Sequence, residues 1–168
     1  DESGAIIGAT AIERDVTDRR RAEAEANRER VARHLLVRVL RELSQRGVAS
    51  LRTRRELGRG LAAETQNASA AGFLDAFAAM GIGELRLERA NAGTYEFVGS
   101  GLLEVTPGAG ATTCHIPLGF LEGVVAALEK VPALGAETAC ESMGQPACAF
   151  VVKARRAPVT TRPSESPA

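Results

Sequence analysis

The sequence has 168 residues, of which 45% are hydrophobic, 4% are aromatic and 25% are charged, and its formal net charge is zero. This length allows one compact domain with appendages, or two small domains. No run approaches the roughly 18 apolar residues that a membrane span needs, and the acidic start lacks the order of a signal peptide. We therefore expect a cytoplasmic setting and no membrane partner.

The zero net charge conceals a segregation of charge along the chain. Residues 1–59 carry a net charge of +4, residues 60–152 carry −7 and residues 153–168 carry +3. A basic arm can indicate nucleic-acid binding. Because the arginine run at residues 19–21 is followed closely by glutamates, we expect no direct contact with nucleic acid. The change of sign instead indicates a boundary between a basic N-terminal segment and an acidic globular body.

The first predicted elements are a strand and a long polar helix. Residues 5–14, AIIGATAIER, are rich in β-branched and small side chains, which is typical of a strand. Thr17 or Asp18 can cap the helix that follows, which extends over residues 19–46 without Pro or Gly. Apolar residues recur at intervals of three and four only from Val31 onward. We therefore expect the first half to be solvated and the second half to pack, or to pair with its copy in a homodimer.

The segment GAIIGATAIERDVTDRRRAEAE resembles the last strand of a PAS sensor domain running into its signalling helix. Asp15-Val16-Thr17 matches the Asp-Ile/Val-Thr triplet that joins sheet to helix in that family. The resemblance implies that residues 1–18 are the C-terminal remnant of a PAS-like domain and that residues 19–49 form a signalling or linker helix. Because the sequence also lacks an initial Met, we expect it to be part of a longer, multidomain signalling protein.

Two further helices are predicted before the first hairpin. Gly47 breaks the long helix, and RTRRELGRGLAAE then predicts an amphipathic helix with Leu57 and Leu61 facing inward. Residues 68–83 predict a third helix, whose glycines at its end are typical of a helix stop.

The remainder of the chain predicts strands, one more helix and a tail. ELRLERANAGTYEFVGSGLLEV alternates with a period of two, which predicts two strands joined by a turn at residues 91–93. Residues 116–131 predict a helix with one apolar face. Residues 154–168 are rich in Pro, Ser and Thr, and we expect them to be disordered.

The three cysteines and one glutamate are the candidate site: Cys114, Glu137, Cys140 and Cys148. The last two cysteines flank a Gly-Gln-Pro turn, which predicts a hairpin centred on Gly144 that brings their thiols together. From the residues alone, the cysteines could be buried small side chains, a disulfide with a spare thiol, a catalytic thiol or metal ligands. A cytoplasmic setting argues against the disulfide. Three thiolates and a carboxylate would suit a closed zinc site, which needs a bulge to turn Glu137 towards Cys140.

The pattern Cys-x22-Glu-x2-Cys-x7-Cys, with GQPAC inside it, resembles the 4-vinyl reductase domain family, in the form found as the sensory domain of aromatic-responsive transcription activators. The resemblance covers residues 50–153. It implies an α+β fold, in which helices pack over an antiparallel sheet, here preceded by a long N-terminal helix. It also implies a structural Zn²⁺ ion held by Cys114, Glu137, Cys140 and Cys148.

The same resemblance implies an apolar pocket for a small apolar or aromatic molecule. Aromatic side chains are more often plain core residues, although some can face a ligand in a core that holds few of them. Those activators hold a phenol with a Trp and a His, and this chain has no Trp, so phenol recognition is not implied. The candidate ligand-binding residues are Phe73, Phe77, Tyr95, Phe97 and Phe120.

No catalytic constellation stands out in the sequence. There is no Ser/His/Asp set, and GAGAT at residues 108–112 lacks the spacing of a dinucleotide-binding loop. We therefore expect a non-enzymatic, small-molecule-binding regulatory domain of a signalling or transcription-regulating protein. The alternatives are a tetrapyrrole-handling reductase or accessory protein of (bacterio)chlorophyll type, and a dimerisation scaffold that binds no ligand.

Overall fold

The structure, a computed structural model, describes residues 5–45, 50–65 and 67–155. Four antiparallel strands form one sheet in the order β1-β2-β4-β3. This arrangement of helices and an antiparallel sheet confirms the predicted α+β class. In chain order, the elements are α1 (Ala5–Gln45), α2 (Leu51–Thr65), α3 (Ala70–Ala79), β1 (Glu84–Asn91), β2 (Thr94–Ser100), α4 (His115–Glu129), β3 (Ala133–Ala139), a 3₁₀ turn (Glu141–Met143) and β4 (Cys148–Ala154).

The N-terminal helix is longer than the sequence predicted. Residues 5–14 form the first turns of α1, so the strand predicted there is wrong. A strand must pair its backbone groups with a neighbour, and within the described part of the chain the four strands of the sheet pair only with one another. A helix satisfies these groups internally and here simply extends the polar helix that follows. The PAS-like origin of residues 1–18 stays a prediction.

Two sequence predictions fall partly or wholly on undescribed positions. The break at Gly47 and the predicted disordered tail beyond residue 155 lie outside the described residues. Although α1 has 41 residues, no helix within the described ranges is both long and apolar enough to cross a membrane.

The predicted hairpin at residues 91–93 is confirmed and has a two-residue turn. Ala92 and Gly93 have φ angles of 46° and 79°, and two positive φ values in succession give the turn that matches the twist of paired strands. Leu85 faces the core, whereas Glu84 and Arg86 are exposed. The alternation of apolar and polar residues in β1 therefore assigns one face of the sheet to the core.

The core lies between that face of the sheet and helices α3 and α4. Phe97 and Phe150 are directly opposed on the two central strands, β2 and β4, and both are buried. Phe120 and Leu121 of α4 are fully buried, as is Phe77 of α3. Side chains from three elements therefore meet in one apolar cluster.

Helix α2 packs along α4 through small residues rather than through leucines. Gly58 and Ala62 are its buried positions, and a Cβ atom on Gly58, or on Gly119 of α4, would overlap the backbone of the facing helix. Leu57 is 38% exposed, so the prediction that it faces inward is wrong, whereas Leu61 does pack against the core. The face of α2 without large side chains lets the two backbones approach closely, and this contact orients the helix.

A buried carboxylate fastens the same pair of helices. Glu122 of α4 is 1% exposed and accepts hydrogen bonds from Arg55 and Arg59 of α2. It also accepts a bond of 2.8 Å from the backbone N–H of Gly135 on β3. Burial alone would raise the pKa of Glu122, but the bonds from Arg55, Gly135 and Arg59 hold that pKa below its ordinary value. The charged carboxylate therefore joins α2, α4 and β3.

Candidate metal centre

The four residues singled out in the sequence converge at the start of α4. Cys114 is the N-cap residue of that helix, Glu137 lies on β3, Cys140 directly follows β3, and Cys148 is the first residue of β4. All three thiols are fully buried. One ligand atom from each of the four residues can be chosen so that all lie within 4.8 Å of one another.

Two local features of the β3–β4 connection bring the candidate ligands together. Ala139 pairs with Ala149, so the hairpin is centred on Gly144 as predicted, and that glycine has a φ angle of 80°. The connection is longer than a tight turn, because it contains the 3₁₀ turn, and Cys140 lies just outside the strand ladder. A register shift between Glu137 and Ala139 supplies the predicted bulge.

The distances between the three sulfur atoms fit a tetrahedral metal site. They are 3.5 Å for Cys114–Cys148, 3.8 Å for Cys140–Cys148 and 3.9 Å for Cys114–Cys140. Zinc–sulfur bonds of about 2.3 Å at tetrahedral angles place sulfur atoms about 3.8 Å apart. A disulfide would need about 2.05 Å, and all three cysteines are free. The arrangement is therefore compatible with a metal site, and the structure contains no disulfide among these cysteines.

The carboxylate of Glu137 has one oxygen that is held and one that is available. Oε2 accepts a hydrogen bond of 3.0 Å from the backbone N–H of Cys114, which fixes the orientation of the side chain. Oε1 is buried and has no hydrogen-bond partner among the described residues. Leaving a buried charged acceptor without a partner is costly, and a cation at the centre of the cluster would remove that cost.

The electrostatics of the cluster also favour a cation. The hydrogen bond between Cys114 and Cys148, the burial of Cys114 and the charge of Glu137 all raise the pKa of the Cys114 thiol. The same bond lowers the pKa of the Cys148 thiol, which burial raises and the bond from the backbone N–H of Glu141 lowers further. Ionisation of more than one of these thiols is opposed by the repulsion between like charges. A bound cation would offset this repulsion and stabilise the thiolates, because the thiolate is the form of cysteine that binds a metal.

Two solved structures resemble this chain in fold. The phenol-responsive sensory domain of the transcription activator PoxR, solved with phenol, matches with a TM-score of 0.53 and 19% sequence identity, over 73% of this chain and 74% of that chain. A vinyl-4-reductase family protein from Methanocaldococcus jannaschii matches with a TM-score of 0.53 and 20% identity, over 73% of this chain and 79% of that one. The chain has a 4-vinyl-reductase-like fold. No protein-family model matches the sequence, and no curated protein matches it either.

The fold expected from the Cys–Glu pattern is thereby confirmed. At this level of identity the two structures show the 4-vinyl-reductase-like fold alone. The convergence of Cys114, Glu137, Cys140 and Cys148 is seen in this chain itself, and their role as metal ligands stays a prediction.

The aromatic residues predicted to line a pocket lie inside the 4-vinyl-reductase-like domain. Phe77 and Phe120 are fully buried with ring centroids 4.9 Å apart, and Phe73 and Phe97 are also buried. Tyr95 is half-buried, stacks on Phe97 at 6.2 Å and donates a hydrogen bond of 2.7 Å from its hydroxyl to Glu129. A ligand bound among these residues would have to separate side chains that pack against one another, and their ligand-binding role stays a prediction.

Sequence reasoning did not place two hydroxyl residues beside the candidate metal ligands. Thr113 precedes Cys114, and its Oγ1 lies 3.7 Å from the Cys140 sulfur and 2.7 Å from Oγ of Ser142. Ser142 is fully buried. The sequence contains one indication of their place, because both residues lie within two positions of a candidate ligand. Hydroxyl residues are common in loops, however, and only the folded chain shows which of them face the sulfurs.

Proposed function

We propose that this chain is a sensory or regulatory module in which a structural zinc ion closes a 4-vinyl-reductase-like domain that binds a small apolar or aromatic molecule. The observation that carries the proposal is the convergence of three buried thiols with a carboxylate whose buried Oε1 has no hydrogen-bond partner among the described residues. The fold shared with the phenol-responsive domain of PoxR supports the sensory role.

The proposed zinc ligands are the sulfurs of Cys114, Cys140 and Cys148 and Oε1 of Glu137. Thiolates suit zinc, and four protein ligands complete a tetrahedral shell. A shell of this kind leaves no position for a reacting water, so the ion would stabilise the fold rather than take part in catalysis. Because the ligands come from the N-terminus of α4 and from both strands of the β3–β4 hairpin, the ion would tie this helix to the sheet.

The proposed ligand site lies among Phe73, Phe77, Tyr95, Phe97 and Phe120. These residues come from α3, β2 and α4, so a ligand placed among them would contact the sheet and both helices that cover it. The hydroxyl of Tyr95 is a polar group at the edge of this cluster that could orient a ligand. Apolar surroundings with few polar groups are typical of sites for small molecules.

The packing of α2 offers a route from this domain to the N-terminal helix. Helix α4 begins at a proposed zinc ligand and contacts α2 closely, and α2 follows α1 in the chain. A ligand that binds one arrangement of these helices more tightly than another would bias the state of α1. Such a module needs no catalytic residues.

Native mass spectrometry of the 168-residue chain, purified without added zinc, tests the proposal. We expect about one zinc ion per chain, because the site is closed and structural. Glu137→Gln is the matched test variant. Its amide oxygen can still accept the bond from the Cys114 N–H, but the anionic ligand is lost. Zinc occupancy should fall clearly in this variant. A wild-type chain that holds well under half an equivalent would contradict the zinc proposal.

The vinyl-4-reductase family neighbour supports a second candidate, a tetrapyrrole-handling enzyme or accessory protein. This candidate predicts that a chlorin or haem binds the purified chain and produces a Soret absorption band. A sensory module instead predicts a co-purified or added small apolar molecule without such a band. The absorption spectrum of the sample used for mass spectrometry distinguishes the two.

We further propose that α1 pairs with its copy in a homodimer. Val31, Leu35 and Val39 recur every four residues along α1 and are 51%, 57% and 54% exposed. Residues at this spacing share one helix face, and burial of the stripe against a second copy would remove apolar surface from water.

Leu35→Glu is therefore expected to weaken the dimer by at least about tenfold, because it would bury a carboxylate in the pairing face. Leu51→Glu is the matched control, since Leu51 is 60% exposed but lies on α2. Sedimentation velocity at high micromolar concentration should show a dimer for the wild type and for the control. A monomeric wild type would refute pairing of this chain through α1.

A further inference from the structure

The hydroxyl groups of Thr113 and Ser142 form a short chain that ends at a cysteine sulfur. The backbone N–H of Thr106 lies 2.9 Å from Oγ of Ser142, which lies 2.7 Å from Oγ1 of Thr113. Oγ1 of Thr113 in turn lies 3.7 Å from Sγ of Cys140 and 4.0 Å from Sγ of Cys114. The chain runs from the loop before α4, through the 3₁₀ turn, to the metal centre.

The direction of the hydrogen bonds follows from the number of protons. A backbone N–H can only donate, so Oγ of Ser142 accepts from Thr106 and keeps one hydroxyl proton to give. Among the described residues, the only further group within hydrogen-bond distance of that hydroxyl is Thr113. If Thr113 instead donated to Ser142, the fully buried Ser142 hydroxyl would keep a proton without an acceptor. The arrangement that satisfies every group has Ser142 donate to Thr113.

The hydroxyl of Thr113 can then donate its hydrogen bond to a cysteine sulfur. Its nearer sulfur is that of Cys140, and a thiolate is a better acceptor than a neutral thiol because it carries the charge. We propose that Thr113 and Ser142 form a one-way hydrogen-bond relay that orients the Cys140 thiolate for the metal and strengthens zinc binding. This inference rests on the proposed zinc site, and it assigns both residues as positioning residues. Groups in this role commonly change metal affinity by about 10–100-fold.

The test measures zinc affinity in the full chain, by competition with a chelator of known affinity. Thr113→Val removes the hydroxyl and keeps the β-branched shape, and it should raise the zinc Kd by about tenfold or more. Thr113→Ser keeps the donor and should restore the wild-type Kd to within about threefold. Thr112→Val is the control, because it makes the same change one residue earlier on the loop, and it should leave the Kd unchanged.

Cobalt in place of zinc gives a readout that a merely structural role would not change. A hydrogen bond withdraws electron density from a thiolate, so its loss should move the sulfur-to-cobalt charge-transfer band of Thr113→Val to lower energy. The band of Thr112→Val should stay at its wild-type position. Ser142→Ala removes the donor to Thr113, and we expect a Kd between those of the wild type and Thr113→Val. This second variant tests the relay even where Thr113→Val is too unstable to load with metal.

The outcomes separate this inference from the proposed function. If the wild type binds zinc but Thr113→Val and Ser142→Ala match it in Kd and in band position, the relay is refuted and the zinc site stands. If the wild type itself binds neither Zn²⁺ nor Co²⁺, the proposed metal site is refuted. Weaker binding with a shifted band in Thr113→Val, restored by Thr113→Ser, supports the relay.

Discussion

Gly58→Ala is expected to lower the free energy of unfolding by about 3 kcal/mol or more, whereas Gly60→Ala, two residues along the same helix, should leave it unchanged or raise it slightly. A Cβ atom on Gly58 would lie 2.6 Å from the backbone N of Phe120 and would also overlap the carbonyl oxygen of Ile116. A Cβ atom on Gly60 would have no atom within 4 Å. Both glycines lie in α2, so the two variants share the same gain in helix propensity.

The size of the Gly58 effect depends on whether α2 can move away from α4. The overlapping atoms belong to the backbone of α4, which cannot rotate aside as a side chain can. Separation of the helices would also stretch the bonds from Arg55 and Arg59 to the buried Glu122. Loss of these partners is itself costly, because it leaves the buried carboxylate of Glu122 with an unpaired charge. Neither the backbone of α4 nor the separation of the two helices can therefore relieve the overlap at low cost in free energy.

Urea unfolding of the wild type, Gly58→Ala and Gly60→Ala at saturating zinc measures this contrast. For Gly60→Ala we expect a gain of up to about 1 kcal/mol, because alanine has fewer unfolded conformations and favours the helix. Equal midpoints for the two variants would show that α2 and α4 do not pack through Gly58. Such a result would also remove the route that we propose from the sensory domain to α1.

The α2–α4 contact shows why the orientation of α2 was not predicted correctly from the sequence. Hydrophobic periodicity assumes that the largest apolar residues face the core, and on that basis Leu57 was placed inward. The contact is instead made where side chains are absent, at Gly58 and at Gly119 on the facing helix. Small residues four positions apart let helix backbones approach closely. The pairs Gly58–Ala62 and Gly119–Gly123 are therefore the feature of the sequence that indicates this contact.

The hairpin and the candidate metal centre were more predictable because local patterns determine them. Alternating residues and an Ala-Gly turn specify β1 and β2, and Gly144 fixes the centre of the β3–β4 connection. The spacing of the cysteines then identified the residues that converge. Buried Glu104, which accepts a hydrogen bond from the backbone N–H of Ile116, had no comparable signal. An acidic residue in a loop predicts a solvated side chain unless its partner is known, and Ile116 lies 12 residues further along the chain, on α4.

Cys148→Ser is expected to destabilise the zinc-loaded chain by at least about 3 kcal/mol and the zinc-free chain by only about 1 kcal/mol. A serine hydroxyl stays protonated near neutral pH, so the substitution removes one anionic ligand. Structural zinc sites contribute roughly 10–16 kcal/mol of apparent binding free energy, and one ligand of four accounts for a loss of this size. In the zinc-free chain, the hydroxyl can still accept the bond that the N–H of Glu141 gives to the Cys148 sulfur.

A four-way comparison isolates the contribution of the metal from that of packing. Unfolding is measured for the wild type and Cys148→Ser, each at saturating zinc and with excess chelator, and the difference between the two losses is the coupling to zinc. If the cysteines were only buried small side chains, the loss would be the same with and without zinc. If Cys148 formed a disulfide, a reductant would lower the stability of the wild type even when zinc is absent. A clearly larger loss with zinc than without it would leave metal ligation as the explanation for Cys114, Glu137, Cys140 and Cys148.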